Sequence, residues 1–332
     1  MENIDFVIAW VDGNDPAWQA EKAKYQGVKW EEGAKNIRYR DWDYLHFWFR
    51  AVEKYAPWVH KVHLMTWGHI PEWLQTEHPK LHVVKHEEFI PAEYLPTFSS
   101  HPIELNMHRI EGLAEQFVYF NDDFFLTAPV KPTDFFVNGL PCDSLEESPL
   151  DLNWRNLMVS VNANDVLFLN QQHSKVDCRK KNWRKWYSIR TPKETLKNML
   201  LAPISRNAFF GFNYHHLPQA YLKSTLVEVW KLDPQWFHET CLLKFRNRED
   251  VSQCVFKFHQ LASGQFYPYS KRKNGKWFGG GIDIEGACRA IQNQQYKFIC
   301  YNDGDKVDFE SYKKKLHAAF LTVLPEKCSF EK

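Results

Sequence analysis

Two apolar runs in this chain stop at acidic residues. The first, Ile4 to Trp10, is rich in β-branched and aromatic residues. It meets Val11-Asp12-Gly13-Asn14-Asp15-Pro16, a segment of strong turn formers. The second, Phe117 to Phe120, meets Asn121-Asp122-Asp123 before apolar residues resume at Phe124. Both predict buried strands that end at the mouth of an open α/β sheet, where ligands bind. Between them, Leu45, Trp48, Phe49, Val52 and Tyr55 share one helical face. That spacing predicts a helix from Asp41 to Tyr55, with Asp41 or Asp43 as N-cap and Pro57 closing it. Lys61 to Thr66 alternates like a strand, and Leu81 to Lys85 reads as another. Pro102 to Gln116 predicts a helix, with Ile103, Met107, Ile110 and Ala114 on one face. Strands alternating with helices predict a mainly parallel sheet covered on both faces.

The pattern weakens after about Pro141. Residues 142 to 190 read as irregular and end in a basic cluster of Lys175, Arg179, Lys180, Lys181, Arg184, Lys185 and Arg190. Trp183 and Trp186 interleave it. The cluster reads as a solvated face, or as a surface for an anionic acceptor or lipid headgroups. From Tyr214 onward, helices are predicted over Gln219 to Trp230, Glu249 to Ala262 and Phe309 to Leu324. Ser270 to Gly281 is Gly-rich and basic but lacks the spacing of a P-loop, so a mobile lid or plain linker is expected. These shifts suggest three parts: an α/β core over 1–140, a partly basic insertion over 141–213, and a more helical C-terminal part over 214–332.

Composition narrows the function classes. A chain of 332 residues can bury a large core. A net charge of +1 gives no global field for nucleic acid. Aromatic residues reach 16%, which suits a large core, a sugar-stacking surface, or both. Seven scattered cysteines with no CxxC pair argue against a zinc site or a disulfide scaffold and for a reduced, cytosolic setting. The N-terminus lacks the basic and apolar regions of a signal peptide. No stretch reaches the roughly 18 apolar residues of a spanning helix. A soluble or membrane-peripheral protein is expected.

Four polar clusters sit at predicted element ends: Asp12, Gly13 and Asp15; Arg38, Arg40 and Asp41; Asn121, Asp122 and Asp123; and His215-His216-Leu217-Pro218 with Arg246-Asn247-Arg248-Glu249-Asp250. Adjacent carboxylates repel, and a hard divalent cation relieves the repulsion. Asn and Asp are also ordinary turn residues, so the triplet alone reads as a turn before it reads as a site. Acids for a cation, arginines for phosphate oxygens and a histidine for proton transfer together make a phosphoryl-transfer kit.

The order of these motifs resembles the Stealth family, the sugar-1-phosphate transferases of bacterial capsule synthesis. That family includes the catalytic subunit of animal N-acetylglucosamine-1-phosphotransferase. The resemblance rests on four regions in order. The first is Ile4 to Pro16. The second runs from Arg38-Tyr39-Arg40-Asp41 through Ala56-Pro57-Trp58-Val59, Thr66 to Leu74, Leu95 to Ser100 and His108 to Leu113, ending at Asn121-Asp122-Asp123. The third is His216-Leu217-Pro218 with Phe245 to Asp250, and the fourth is Cys300-Tyr301-Asn302-Asp303. One departure is Trp42-Asp43-Tyr44-Leu45-His46, which stands where many members have Asn-x-Glu-Leu-Arg.

The resemblance implies a glycosyltransferase A-like core that binds a UDP-sugar. It implies transfer of a hexose-1-phosphate or N-acetylhexosamine-1-phosphate to a hydroxyl of a glycan or lipid-linked glycan, with UMP released. It implies His216 as the general base, chosen over His215 by the Pro218 that follows, and Arg246 as a diphosphate clamp. Asp122 and Asp123, joined by Asp303, would hold Mg²⁺ or Mn²⁺ or orient the sugar. Asp12, Gly13, Asp15, Arg38, Arg40, Asp41 and Asn121 would shape the nucleotide pocket. The expected location is cytoplasmic, at the inner face of the cell membrane. The alternatives are a conventional metal-dependent glycosyltransferase releasing UDP, and a non-catalytic carbohydrate-binding protein.

Overall fold

The computed structural model describes residues 2–26, 39–151, 156–279, 283–302, 304 and 307–332. Arg38 and Asp303 lie outside them. The chain opens with β1 (Ile4–Ala9) and α1 (Pro16–Tyr25), then α2 (Leu45–Tyr55), β2 (Val62–Thr66) and β3 (Leu81–Lys85). Short helices α3 (His86–Phe89) and α4 (Ser100–Leu105) precede β4 (Gln116–Phe120), β5 (Phe124–Leu126), β6 (Phe136–Val137) and β7 (Leu140–Asp143). Four helices follow: α5 (Leu157–Gln172), α6 (Lys175–Lys181), α7 (Trp183–Trp186) and α8 (Pro192–Leu201). Next come β8 (Gln219–Leu222), α9 (Lys223–Leu232), α10 (Pro234–Leu242) and α11 (Cys254–Ser263). The remainder is β9 (Tyr267–Pro268), α12 (Lys271–Asn274), β10 (Gly275–Phe278), α13 (Ile284–Gln292), β11 (Phe298–Tyr301) and α14 (Phe309–Val323).

The central sheet has the order β3-β2-β1-β4-β8. The first four strands are mutually parallel, and β8 runs antiparallel to β4 with Tyr119 opposite Gln219. The expected mainly parallel α/β sheet is therefore present. All four parallel strands end at one edge, and β8 begins there. A second sheet, β10-β11-β5, carries the chain on from Asp123, with Cys300 opposite Phe124.

Both faces of the central sheet are apolar because both are covered. Phe6, Ile8, Val118 and Phe120 pack on one side with Trp48 of α2 and residues of α13 and α14. Val7, Phe117, Tyr119 and Tyr221 pack on the other with α9, α10 and α11. Much of the aromatic content serves this core, as in the Phe6–Phe120 pair at 4.8 Å and the Trp48–Phe120 edge contact at 5.4 Å. Burying such a ring contributes about 1.5–3 kcal/mol. Opposite the strand ends, Asp5 ties the sheet together: His60 Nδ1 lies at 2.7 Å, His63 Nε2 at 3.0 Å, and the Ala114 amide donates at 2.8 Å.

Several elements differ from the sequence reading. The helix expected over 102–116 is only α4 plus a 3-10 turn, Met107–Arg109. The Asn106 side chain donates to the Pro102 carbonyl at 2.8 Å, competing for the acceptor that a continuing helix uses. Helix α2 starts at Leu45 and has no side-chain cap, since Asp41 instead accepts from the Asp43 amide at 2.8 Å. Residues 142–190, read as irregular, contain α5, α6 and α7. The inner face of α5 includes the buried Asp165, whose carboxylate accepts from Ser252, so no apolar stripe marks it. Gln219 to Leu222 is strand rather than helix. The supposed lid holds α12 and β10, and β10 is hydrogen-bonded into the second sheet.

A buried ionic knot joins β7, β8, α11 and α12. Asp143 Oδ1 lies 3.2 Å from Lys257 Nζ and 3.5 Å from Lys271 Nζ, and Oδ2 accepts from Gln219 at 2.8 Å. Burial pushes the Asp143 carboxyl up, but the two ammonium groups outweigh it and hold the carboxyl down at about 2. Burial already pushes the Lys271 ammonium down to about 7, and Asp143→Asn would strip both it and Lys257 of their counter-charge. We expect a loss of about 3–5 kcal/mol, read as a lower urea midpoint at unchanged slope.

Candidate active site

A cleft opens at the shared strand edge and encloses about 770 Å³, its open mouth included. Its walls include Trp10 and Val11 after β1, Tyr39, residues 97–100, Asn121 and Asp122 after β4, and Arg246. Glu104 and Tyr119 also line it, joined by a hydrogen bond of 3.1 Å. Arg246 donates to Ser100 Oγ at 2.8 Å. Its loop is braced against the 94–101 segment in three ways. The Phe98 amide donates to the Lys244 carbonyl at 2.9 Å, Phe98 stacks on Phe245 at 5.4 Å, and His101 pairs with the buried Asp250 at 2.8 Å. The third motif is thereby seated against the second.

Asp122 is exposed to solvent on the open side of the cleft, yet densely surrounded by protein. Desolvation by that protein, then the Asp123 and Asp41 carboxylates, push its carboxyl up to about 7, while Arg246 opposes. Because water reaches the group, carboxylate repulsion is the more durable of these causes. Asp41 is itself pushed up by burial, with Asp43 and Asp12 adding. Asp12, Asp41, Asp122 and Asp123 therefore form one field of negative charge.

The two histidines part company. Both have left-handed backbones, with φ of 58° at His215 and 48° at His216, uncommon for residues other than glycine. His215 turns inward, 5% exposed, toward Glu146 at 3.6 Å, and burial pushes its imidazole down to about 3. His216 turns outward, 29% exposed, with Nε2 at 3.7 Å from Asp123 Oδ2. Between them stands Asn302, just past β11. Its amide nitrogen donates to Asp123 Oδ2 and lies 3.0 Å from His216 Nε2, while its oxygen accepts from Trp277 Nε1. The carboxylate and the indole together set the amide's orientation. The same nitrogen is thereby held beside His216 Nε2 as well as Asp123 Oδ2.

Other residues singled out in the sequence have local partners. Asp15 caps α1, accepting from the Trp18 amide at 2.7 Å. A Cβ at Gly13 would fall 1.8 Å from the Tyr39 carbonyl oxygen, so the close approach it permits is to the protein's own backbone. The Asp12 amide donates to His69 Nε2 at 2.8 Å. Arg40 lies over the Phe309 ring at 4.8 Å. Arg109 stacks on Trp230 and donates to Asn106.

The Stealth protein conserved region 1 matches residues 2–27, and conserved region 2 matches residues 38–142. A capsular polysaccharide phosphotransferase, WcwK of Streptococcus pneumoniae, is 39% identical across the whole of this chain and 99% of its own length. The chain belongs to the Stealth family. A receptor polysaccharide phosphotransferase, WefC of Streptococcus oralis, is 40% identical with both chains fully covered. An exopolysaccharide phosphotransferase, cps2G of Lactiplantibacillus plantarum, is 36% identical over 99% of this chain and 96% of its own. Among solved structures, the galactosyltransferase LgtC, in complex with donor and acceptor sugar analogs, is similar at a TM-score of 0.40 and 11% identity, with 95% of each chain covered.

The donors at this Stealth site form a possible metal-binding triad that fits a hard divalent cation only in part. Asp123 Oδ1 and Asn121 Oδ1 are buried and accept no hydrogen bond among the described residues. Asp123, His216 and Cys300 also bring one donor atom each within 4.8 Å of the others. Cys300 fits such a cation poorly: burial, then Asp123, push its thiol well above the usual range, and Mg²⁺ and Mn²⁺ prefer oxygen. Asp123 is the one member of this triad that offers oxygen. Sequence reasoning missed Asn302 as a partner of the acid pair. The signal was its place in the fourth motif, where attention went to Asp303.

An acid raised in the folded state destabilises that state once ionised, so stability falls as pH climbs from about 4 toward 7. Asp122→Asn removes this cost in metal-free protein. We expect its Tm to exceed the parent's by about 1–3 °C at pH 8, a size kept small by solvent screening. The gap should close near pH 4, as followed by circular dichroism.

Proposed function

We propose that this Stealth protein transfers a sugar-1-phosphate from a UDP-sugar to a hydroxyl of a capsular or exopolysaccharide acceptor. Two observations support the reading in a chain whose full-length relatives are named polysaccharide phosphotransferases: His216 stands 3.7 Å from Asp123, and the adjacent Asp122 lines the cleft with Arg246. The acceptor oxygen attacks the phosphorus that bears the sugar. A new P–O bond forms, the bridging P–O bond of the diphosphate breaks, and UMP leaves. The C1–O bond of the sugar is untouched, so its configuration is kept.

In this reading His216 takes the acceptor proton at Nε2. The acceptor hydroxyl displaces the Asn302 amide, which lies 3.0 Å from that nitrogen, and Asp123 Oδ2 stands 3.7 Å from it. Arg246, fixed by Ser100, offsets charge on the diphosphate as it divides. Asn121, Asp122 and Asp123 would hold Mg²⁺ or Mn²⁺, which supplies further charge neutralisation when bound. The proposed set also includes Asp12, Gly13, Asp15, Arg38, Arg40, Asp41 and Asp303; Val11 and Tyr39, the neighbours of Asp12 and Arg40, line the cleft. The reading includes action in the cytoplasm, since all seven cysteines are free and suit a reducing compartment. No helix among the described residues is long and apolar enough to cross a membrane.

The test is a screen of UDP-sugars with a glycan acceptor, separating UMP from UDP. UMP formed in step with product is the expected result, and UDP as the sole nucleotide product would overturn the proposal. His216→Ala should lower kcat by about 10²–10⁴-fold. Asn302→Ala should lower kcat by a smaller factor, about tenfold, because His216 and Asp123 lose the amide that holds both. An unchanged kcat would leave Asn302 no part in positioning them.

A further inference from the structure

Helix α8 is turned inside out. Its inward positions are polar: Glu194 and Asn198 are 2% and 1% exposed. Its outward positions are apolar: Leu196, Met199 and Leu200 are 59%, 52% and 66% exposed, and Ile204 in the next turn is 71%. The 196, 199, 200, 204 spacing makes one continuous helical stripe. The roll of the helix is fixed by bonds on the polar side. Asn198 donates to the Leu145 carbonyl at 2.9 Å and accepts from the Glu147 amide at 2.9 Å, and Glu194 accepts from Ser270 at 2.7 Å. Rotating the leucines inward would break all three, so their exposure is built in.

Charge is segregated in the same segment. Residues 175–206 hold ten Lys and Arg against two acids, in a chain whose net charge is only +1; Lys175 is buried against Glu147 and Lys197 pairs with Glu146, and the other eight remain. Arg184, Arg190 and Lys193 are exposed in the same segment as the stripe, as are Trp183 at 55% and Ile189 at 95%. Arg184 lies 5.3 Å from the Trp183 ring.

We propose that this face docks on a bilayer of anionic phospholipid. Exposed Leu, Ile, Met and Trp enter the headgroup boundary, and the surrounding Lys and Arg extend their charged ends to lipid phosphates. Charge complementarity selects this occupant over a second copy of the chain, since a two-fold contact would set this cationic face against itself. The inference concerns a surface separate from the cleft, so it stands or falls independently of the transfer reaction.

The experiment is co-sedimentation of the full chain with phosphatidylcholine vesicles, with and without phosphatidylglycerol. Binding to the phosphatidylglycerol vesicles alone, weakened by added salt, is expected. Two variant sets test the two parts of the face. Leu196→Ser with Leu200→Ser, and Arg184→Glu with Arg190→Glu and Lys193→Glu, should each weaken binding by about tenfold or more. All these side chains are exposed, so melting temperatures should match the parent's. Absence of binding, equal binding to both vesicle types, or binding that survives both variant sets would overturn the proposal. So would a dimer in sedimentation velocity that the same substitutions dissolve.

Discussion

The antiparallel pairing of β8 with β4 is the constraint on which the site depends. A strand parallel to β4 would have begun at the far edge of the sheet, with the residues before it there too. Because β8 runs the other way, with Gln219 opposite Tyr119, the His215–Pro218 segment enters beside Asn121-Asp122-Asp123. The second sheet adds the next piece. β11 pairs antiparallel with β5, so Asn302 emerges against Asp123. Motifs nearly two hundred residues apart meet because two strands reverse direction at the same edge.

Once assembled, the edge is electrostatically costly. Asp12, Asp41, Asp122 and Asp123 share one field, with Arg246 as an opposing charge on the cleft wall. Such an arrangement lowers stability while it is ionised and without a counter-charge. A fold retains it when function needs the field. The costs are offset elsewhere, through the two-faced aromatic core and through Asp5, which binds His60, His63 and the Ala114 amide at the opposite edge.

The segment over 141–213 is joined to the C-terminal part by shared interior groups rather than by a thin seam. Leu145, Leu169, Trp186, Phe209 and Phe212 pack with Phe258 and Leu261 of α11. Lys175 pairs with Glu147 at 2.7 Å in full burial, and Glu146 gathers Lys197 and Arg272. This polar interior explains both why the segment looked irregular and why α8 carries its apolar stripe outward. Where the inward side of a helix is held by hydrogen bonds, hydrophobic periodicity no longer reports which side is inside.

Local chemistry was legible in the sequence. Apolar β-rich runs marked β1 and β4, alternation marked β2, a short strand pattern marked β3, and turn residues marked the acidic ends of β1 and β4, because these preferences act over a few residues. The ordered motifs marked the family. Long-range pairing was not legible. Only the tertiary structure turned His215 inward and His216 toward Asp123, seated Asn302 between the carboxylate and the imidazole, made Asp15 a helix cap, and set the roll of α8. Each of these depends on partners that are remote in the chain or on a backbone angle the residue type does not specify. The sequence by itself determined which chemical groups this protein carries and where its strands end. Their mutual orientation was decided by strand direction and by buried hydrogen bonds, which no local pattern encodes.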